Sequence, residues 1–432
     1  MMRNILEKGF AIGRSTTARH IYWVFSGNVL SIVLTFFALV VVMAPRISKA
    51  EYGIFLALFT LANLLSDLSE AGLGGALTKF IPPLLLQKKI VQAKEFLATA
   101  HQIELGITVV VCVTLLLLAG PLARILFAGT AQINVVITAL MTATMILMGF
   151  VVFALSAYKK FPEVTVVNVF YSIIRLALLL VFALLTKLSL FNILIVYLLS
   201  SILSWIYSLF FLGTSWVTIP FSRERAGKII RFASFLAVQK VFVAVSSRLD
   251  LLMMVPLAGA VEAGIYGMAS RFALVYPLLI SSLAQVLAPK FAEFATVGEA
   301  TAFFKKVSLV IGGLLFSLVI FNSFARIFIS AFVQNYSEAI PVLGGLLLSM
   351  APFIAATPFV SFVVYTLKKP WIMMIASFVQ LVVIFVVNWW LLPSLGRFAP
   401  ATGIGFGNLA IFIIAAGSSW YYFNQEKHEN RH

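Results

Sequence analysis

The chain has 432 residues, of which 62% are hydrophobic and 11% charged; an ordinary soluble domain carries about 25% charge. Apolar runs recur from Tyr22 to Phe423 with no hydrophilic stretch long enough for a soluble domain, so the composition excludes a globular protein and describes an all-α integral membrane protein. The net charge of +16 would suggest nucleic acid in a soluble chain, but here the basic residues sit in short loops between apolar runs, the signature of membrane orientation, and no nucleic-acid partner is expected.

The first apolar run, Ile21 to Ala44, exceeds the roughly 7–15 residues of a signal peptide's apolar region and is read as a retained span. At about 20 apolar residues per crossing, the sequence predicts twelve helices, near 22–43, 54–78, 96–119, 134–157, 165–186, 191–213, 233–255, 264–288, 307–328, 339–366, 371–392 and 403–423. Cys112 is the one cysteine and lies in an apolar run; two of the four histidines are in the C-terminal tail. No disulfide, metal site or other cofactor is expected. The stretch from Arg3 to His20 is compatible with a short basic surface helix.

An internal repeat organises these spans. With an offset of 211 positions, Met43, Pro45, Glu51, Gly53, Ile54, Ala62, Leu68, Lys79 and Phe80 fall on Met254, Pro256, Glu262, Gly264, Ile265, Ala273, Leu279, Lys290 and Phe291. Tyr158-Lys159-Lys160 after span 4 echoes Leu367-Lys368-Lys369 after span 10. Six spans per copy is an even number, so both copies point the same way and the expected pseudo-two-fold axis runs along the membrane normal. The expected layout is an N-terminal lobe (1–213), a basic cytoplasmic linker (214–232) and a C-terminal lobe with its tail (233–432).

Twenty-one basic residues fall in the two tails and alternate loops, against six in the opposite loops: Arg46, Lys49, Arg124, Lys187, Arg326 and Arg397. The positive-inside rule then places both termini in the cytoplasm. Trp23, Trp216, Trp371, Trp389, Trp390 and Trp420 lie at predicted span ends, where interfacial anchors are expected.

The segments Ala44-Pro45-Arg46-Ile47-Ser48-Lys49-Ala50-Glu51-Tyr52-Gly53, Glu70-Ala71-Gly72-Leu73-Gly74-Gly75-Ala76-Leu77, Arg248-Leu249-Asp250 and Glu262-Ala263-Gly264-Ile265-Tyr266 resemble those of bacterial O-antigen and exopolysaccharide flippases. These form a branch of the superfamily that also holds the multidrug and toxin extruders. The resemblance implies a two-lobed, alternating-access transporter of the bacterial inner membrane, without enzymatic activity. Its cargo would be an undecaprenyl-diphosphate-linked oligosaccharide carried to the periplasmic leaflet, and its partners the polysaccharide polymerase and chain-length proteins; the chain is expected to act as a monomer. The rival readings are a multidrug extruder and a membrane polymerase or ligase. An extruder of cations favours an acidic pocket, and polymerases and ligases generally carry a large periplasmic loop.

Four basic residues remain inside predicted spans: Arg175, Lys240, Arg248 and Arg271. A diphosphate crossing hydrocarbon needs cations in a wet cavity, and these four are the candidate substrate-binding residues. Arg175 lies about ten residues from either end of span 5 and Lys240 about 6 Å from the middle of span 7. The acids Asp67, Glu70, Glu104 and Asp250 either pair structurally with these bases or take up a proton or sodium ion that drives transport. Asn63, Asp67 and Glu70 form one stripe of span 2 at helical spacing. Pro277 in span 8 and Pro341, Pro352 and Pro358 in span 10 predict breaks; Gly312-Gly313, Gly403, Gly405 and Gly407 predict close helix contacts.

Overall fold

The computed structural model describes residues 16–429 except 71, 295 and 296; residues 3–15 of the expected surface helix lie outside the described residues. The helices in chain order are α1 (Thr16–Phe36), α2 (Lys49–Glu70), α3 (Leu73–Leu86), α4 (Ile90–Leu117), α5 (Ala119–Ile125), α6 (Gln132–Ala157), α7 (Phe161–Leu185), α8 (Leu190–Leu212), α9 (Arg223–Ser246), α10 (Leu249–Ala258), α11 (Ala260–Ala273), α12 (Val275–Glu293), α13 (Val297–Phe332), α14 (Ala339–Ser349), α15 (Ala351–Ser361), α16 (Pro370–Leu395) and α17 (Ala399–Glu429). No strand occurs among the described residues.

Ten stretches are long and apolar enough to cross a membrane, and α9 with α10 forms an eleventh as a bent pair. The last stretch, Pro370–Gln425, contains both α16 and α17, which pack on one another after a turn at Gly396–Phe398. It therefore crosses twice, and the described residues contain the expected twelve spans in an all-helical membrane fold.

Several spans are broken, each for a local reason. The first runs from α1 into a π-helical segment, Phe37–Met43, ahead of Pro45. Proline cannot donate to a carbonyl one turn back; the Arg46 guanidinium supplies donors instead, to the carbonyls of Val42 (2.7 Å) and Val41 (3.3 Å). Pro277 leaves the Ala273 carbonyl without its helical donor, and α11 ends at that residue. Pro352 stands in the first turn of α15, where span 10 breaks, and a π-helical segment, Phe362–Thr366, follows Pro358.

Two breaks depart from the predicted continuous spans. The seventh span bends by 41° between Ser246 and Leu249. No proline is involved: the Ser247 hydroxyl donates to the Ala244 carbonyl (3.0 Å) at a Ser-Ser pair, a recognised cause of kinks. The second span breaks between Glu70 and Leu73, where Gly72 adopts φ +94°. A Cβ there would stand 2.7 Å from the Ala233 carbonyl oxygen, so glycine serves both the left-handed conformation and the close approach of α9.

Contacts divide the chain into two compact units. The first holds Met1–Ile47, Leu61–Arg124 and Gly129–Val241; the second holds Ser48–Thr60, Ile125–Ala128 and Phe242–His432. Two short stretches, Ser48–Thr60 and Ile125–Ala128, group out of chain order, and the last change of unit falls between Val241 and Phe242. The start of α2 joins the second unit because it crosses α11 at two glycines: a Cβ on Gly53 would lie 2.0 Å from the Ala260 carbonyl oxygen, and one on Gly264 would lie 2.0 Å from that of Lys49. Lys49 and Ala260 share the 211-residue offset of Gly53 and Gly264, so the crossing is reciprocal and locally two-fold. The basic stretch 214–232 and most of α9 join the first unit through the Gly72–Ala233 approach and the Lys79 ammonium, 4.0 Å over the Phe232 ring.

The first unit's core includes Leu77, Leu97, Phe150, Leu155 and Trp216. Trp216, expected as an interfacial anchor, is 2% exposed; its indole N–H donates to the Gly213 carbonyl and its ring meets His101 edge-on at 4.8 Å. A second-unit cluster packs Ala356, Val363, Met373, Ala376 and Ile411. Gly403 and Gly407 meet Asn388 and Ile384 at the predicted close contact, and Gly405 stands at ordinary distance from Ser349. Gly312 and Gly313 face open space instead, on a helix that is mostly exposed.

Candidate functional site

In the first unit, the α2–α3 break, α4, α6 and α9 converge on one group of charges. Ending α2 at Glu70 frees the amides of the next helix, and Gly74 N–H donates to one Glu70 carboxylate oxygen at 3.1 Å. The other oxygen accepts a hydrogen bond from the Lys240 ammonium of α9. Lys240 is 47% exposed at its side chain while Glu70 is 13% exposed, so this ion pair has one open member. The Phe153 ring of α6 lies 5.9 Å from Lys240. Asp67, one turn before Glu70, is exposed.

Glu104 of α4 stands behind this pair and is 2% exposed. One of its oxygens accepts from the Ser69 hydroxyl at 3.3 Å; the other is buried without a hydrogen-bond partner. It lies within electrostatic reach of Glu70. A buried, half-satisfied carboxylate beside an ion pair is a place where the charge balance can change with one bound cation.

Arg175 is also in the first unit, in α7, but it is not brought to that group. It is 3% exposed and closed in by α1 and α8: its guanidinium donates to the Thr35 hydroxyl and lies 4.8 Å from the Tyr171 ring and 5.2 Å from the Tyr197 ring. Aromatic faces stabilise a desolvated guanidinium. Its Nε has no hydrogen-bond partner. The expectation that Arg175 faces protein or water rather than acyl chains agrees with this burial; in this conformation the surroundings are protein.

The second unit carries a closed counterpart. Asp250, in the first turn of α10, accepts a hydrogen bond from the Tyr266 hydroxyl of α11, and Arg271 lies near enough for its charge to act on both. Tyr266 is 1% exposed. Arg248 caps α10 at the bend and is partly buried. The structure thus joins Glu70, Glu104 and Lys240 in one place and Asp250 and Arg271 in another.

A third constellation was not singled out from sequence. At one end of the second unit, Glu338 accepts from Lys49 (3.1 Å) and Arg397 (2.9 Å), while Glu262 accepts from the Arg397 backbone N–H (2.9 Å). The two cations hold the Glu338 carboxyl below its ordinary range, the Lys49 hydrogen bond contributing most. Tyr52 and Tyr336 meet edge-on below it at 5.6 Å. Partners 289 residues apart leave no spacing signal. For the Arg175 cage the signal was partly present, since Tyr171 and Arg175 stand at i and i+4.

The family described as "Polysaccharide biosynthesis protein" matches residues 17–295, well over half the chain. The chain belongs to this family. Among solved structures, an inward-facing multidrug resistance MATE family transporter of the MOP superfamily superposes with TM-score 0.75 and 16% identity, covering 92% of this chain and 95% of that one. The lipid II flippase MurJ, in an inward closed conformation, gives 0.73 and 14%, covering 93% and 87%. An outward-facing MATE family transporter gives 0.59 and 14%, covering 96% and 98%. No curated protein matches in sequence. At these identities the structural likeness establishes the fold, a multi-pass membrane fold of the MOP type. Within the polysaccharide biosynthesis family, the charges described above are the intramembrane groups that require a functional account.

Proposed function

We propose that this family member is a flippase that carries an undecaprenyl-diphosphate-linked oligosaccharide from the cytoplasmic to the periplasmic leaflet of a bacterial inner membrane. Both termini then lie in the cytoplasm, a placement that the asymmetry of basic loops supports. The observation that carries the reading is Lys240: an ammonium about half exposed, on a span that must cross hydrocarbon, in a chain of the polysaccharide biosynthesis family. Such a group is expensive in hydrocarbon unless it is paired or faces a wet path; here it is paired with Glu70 on one side and open on the other, which leaves it able to meet a charged passenger. Lys240 contacts the diphosphate; Arg248, in the second unit, is a separate candidate for contact with the cargo. Arg271 sets the charge of the Asp250 group, and Arg175 reaches the cargo only when its aromatic cage opens. Glu70 and Glu104 take up a proton or sodium ion as Lys240 turns from Glu70 to the diphosphate; Asp67 and Asp250 supply further negative charge to that balance. On this reading the protein acts as a monomer, without a cofactor and without covalent chemistry, delivering to a polymerase and its chain-length partner.

The test is reconstitution of the purified full-length protein in vesicles holding a lipid-linked oligosaccharide in one leaflet. Arrival in the other leaflet is read by a membrane-impermeant lectin. Protein-dependent transfer is expected. Lys240→Ala should lower it about tenfold or more, since a hydrogen bond to a charged group contributes roughly 1.5–3 kcal/mol and 1.4 kcal/mol is a factor of ten. Transfer at the protein-free rate, or full transfer by the variant, overturns the reading. A cationic drug moved in place of the glycolipid would establish the extruder alternative.

A further inference from the structure

A cavity of about 410 Å³ opens between the start of α16 and the end of α17, within the second unit. This falls within the 300–1,000 Å³ range of ligand pockets. Trp371 and Ile375 form one wall; Gly417, Ser418, Tyr421 and Tyr422 form the other. The surrounding face is exposed and apolar: Trp371 is 55% exposed, Tyr421 59% and Trp420 70%. On a membrane-spanning helix pair such a face is covered by lipid. At its end stands the Lys368-Lys369 turn, with the Lys369 ammonium 3.8 Å over the Tyr422 ring that lines the cavity. From Ala339 to Gln425 the chain has no aspartate or glutamate, and Glu426 and Glu429 follow only in the tail, interleaved with Lys427; Lys368 and Lys369 are the charged residues of the turn that opens onto the apolar slot.

The other copy of the repeat supplies the contrast. There Lys160, the counterpart of Lys369, donates to the Phe211 carbonyl at 2.7 Å and so serves the end of α8. Between α7 and α8 the Tyr207 ring stacks on Phe170 at 4.2 Å. In the second copy small residues stand at this depth, and a Cβ on Gly417 would meet nothing within 4 Å. The two copies thus differ in what stands between the helices, an aromatic stack in one and a slot lined by Gly417 and Ser418 in the other, and in what the second lysine meets, the Phe211 carbonyl for Lys160 and the Tyr422 ring for Lys369.

We propose that this crevice is a binding site for an anionic phospholipid. One acyl chain lies in the slot over Gly417, between Trp371 and Tyr421, and the headgroup phosphate sits at Lys368 and Lys369. Charge complementarity selects the occupant: a basic pair at a span end attracts anionic lipid, while tryptophan and tyrosine sit at the headgroup level with an apolar body and a polar edge. The site is separate from the Lys240 group, so it stands or falls independently of the cargo.

The test uses the purified full-length protein in detergent with equal amounts of phosphatidylglycerol and phosphatidylcholine of the same acyl chains, read by native mass spectrometry. Preferential retention of one phosphatidylglycerol per chain is expected. Lys368→Gln with Lys369→Gln should abolish the preference without changing thermal unfolding. Gly417→Leu should lower retention of both lipids by filling the slot, and Ser418→Leu does the same if the first variant is poorly folded. Equal retention of the two lipids, retention unchanged by the charge variants, or pairing of two chains through this face overturns the proposal.

Discussion

The two acid–base groups differ in how they are held. In the first unit, Glu70 is fixed by the Gly74 amide and met by a lysine that is half open to its surroundings. In the second unit, Asp250 is engaged by the hydroxyl of the buried Tyr266, with Arg271 close by. A flexible, strongly hydrated ammonium on a bent span can leave its carboxylate, whereas an aspartate bound by a buried phenol holds two helices together. On the proposed function, similar charges serve exchange at Glu70–Lys240 and fixation at Asp250–Tyr266. The breaks follow the same logic, since Gly72 and the Ser246-Ser247 bend flank the Glu70–Lys240 pair along the chain.

This contrast is broken most readily at Asp250. Asp250→Ala removes the acceptor of the Tyr266 hydroxyl and the charge that the group supplies near Arg271, and should destabilise the protein by about 1.5–3 kcal/mol, measured by thermal unfolding in detergent; a shift no larger than that of Glu70→Gln would erase the distinction. Gly72→Ala comes next. Its Cβ would strike the Ala233 backbone at φ +94°, and non-glycine residues in strained conformations cost about 1–3 kcal/mol; unchanged stability would show that α9 moves aside freely. Tyr266→Phe removes one hydrogen bond to a carboxylate, worth about 1.5–3 kcal/mol before relaxation, and should lower stability while leaving transport per folded molecule intact.

Glu70→Gln should do the reverse. With Lys240 half exposed, the stability change should stay within about 1 kcal/mol, while the response of transport to a pH or sodium gradient flattens; a full gradient response would remove Glu70 from coupling. The smallest effect is expected at Glu338. Its carboxyl is held below the ordinary range by Lys49 and Arg397, so its contribution is complete above the ordinary glutamate value and disappears as pH falls through the lowered one. Wild type should therefore lose stability on acidification below about pH 4.5, and Glu338→Gln should lose less; parallel curves would refute this.

Much of this fold was legible in the chain because its two strongest signals are local. Twenty apolar residues between polar turns define a span wherever they occur, and Pro277 and Pro352 break their helices because proline has no N–H to give the carbonyl one turn back. Trp216 escaped that reading: its position at a span end suits an interfacial anchor, and its burial against His101 comes from the loop folding inward. The bend at Ser246-Ser247 was equally hidden, since serine breaks a helix only when its hydroxyl turns to the backbone.

Composition and period alone determined that this is a twelve-span, twice-repeated membrane protein and which few charges lie within its spans, because hydrocarbon penalises polar groups regardless of their neighbours. Which acid meets which base was decided only in three dimensions: Glu70 finds Lys240 across 170 residues, Asp250 finds Tyr266 across a helix break, and Arg175 finds two tyrosines and a threonine. Such pairing depends on ångström-scale approach between distant segments, set here by glycine contacts such as Gly53 on Gly264 and Gly72 on Ala233, and no spacing along the chain encodes that distance.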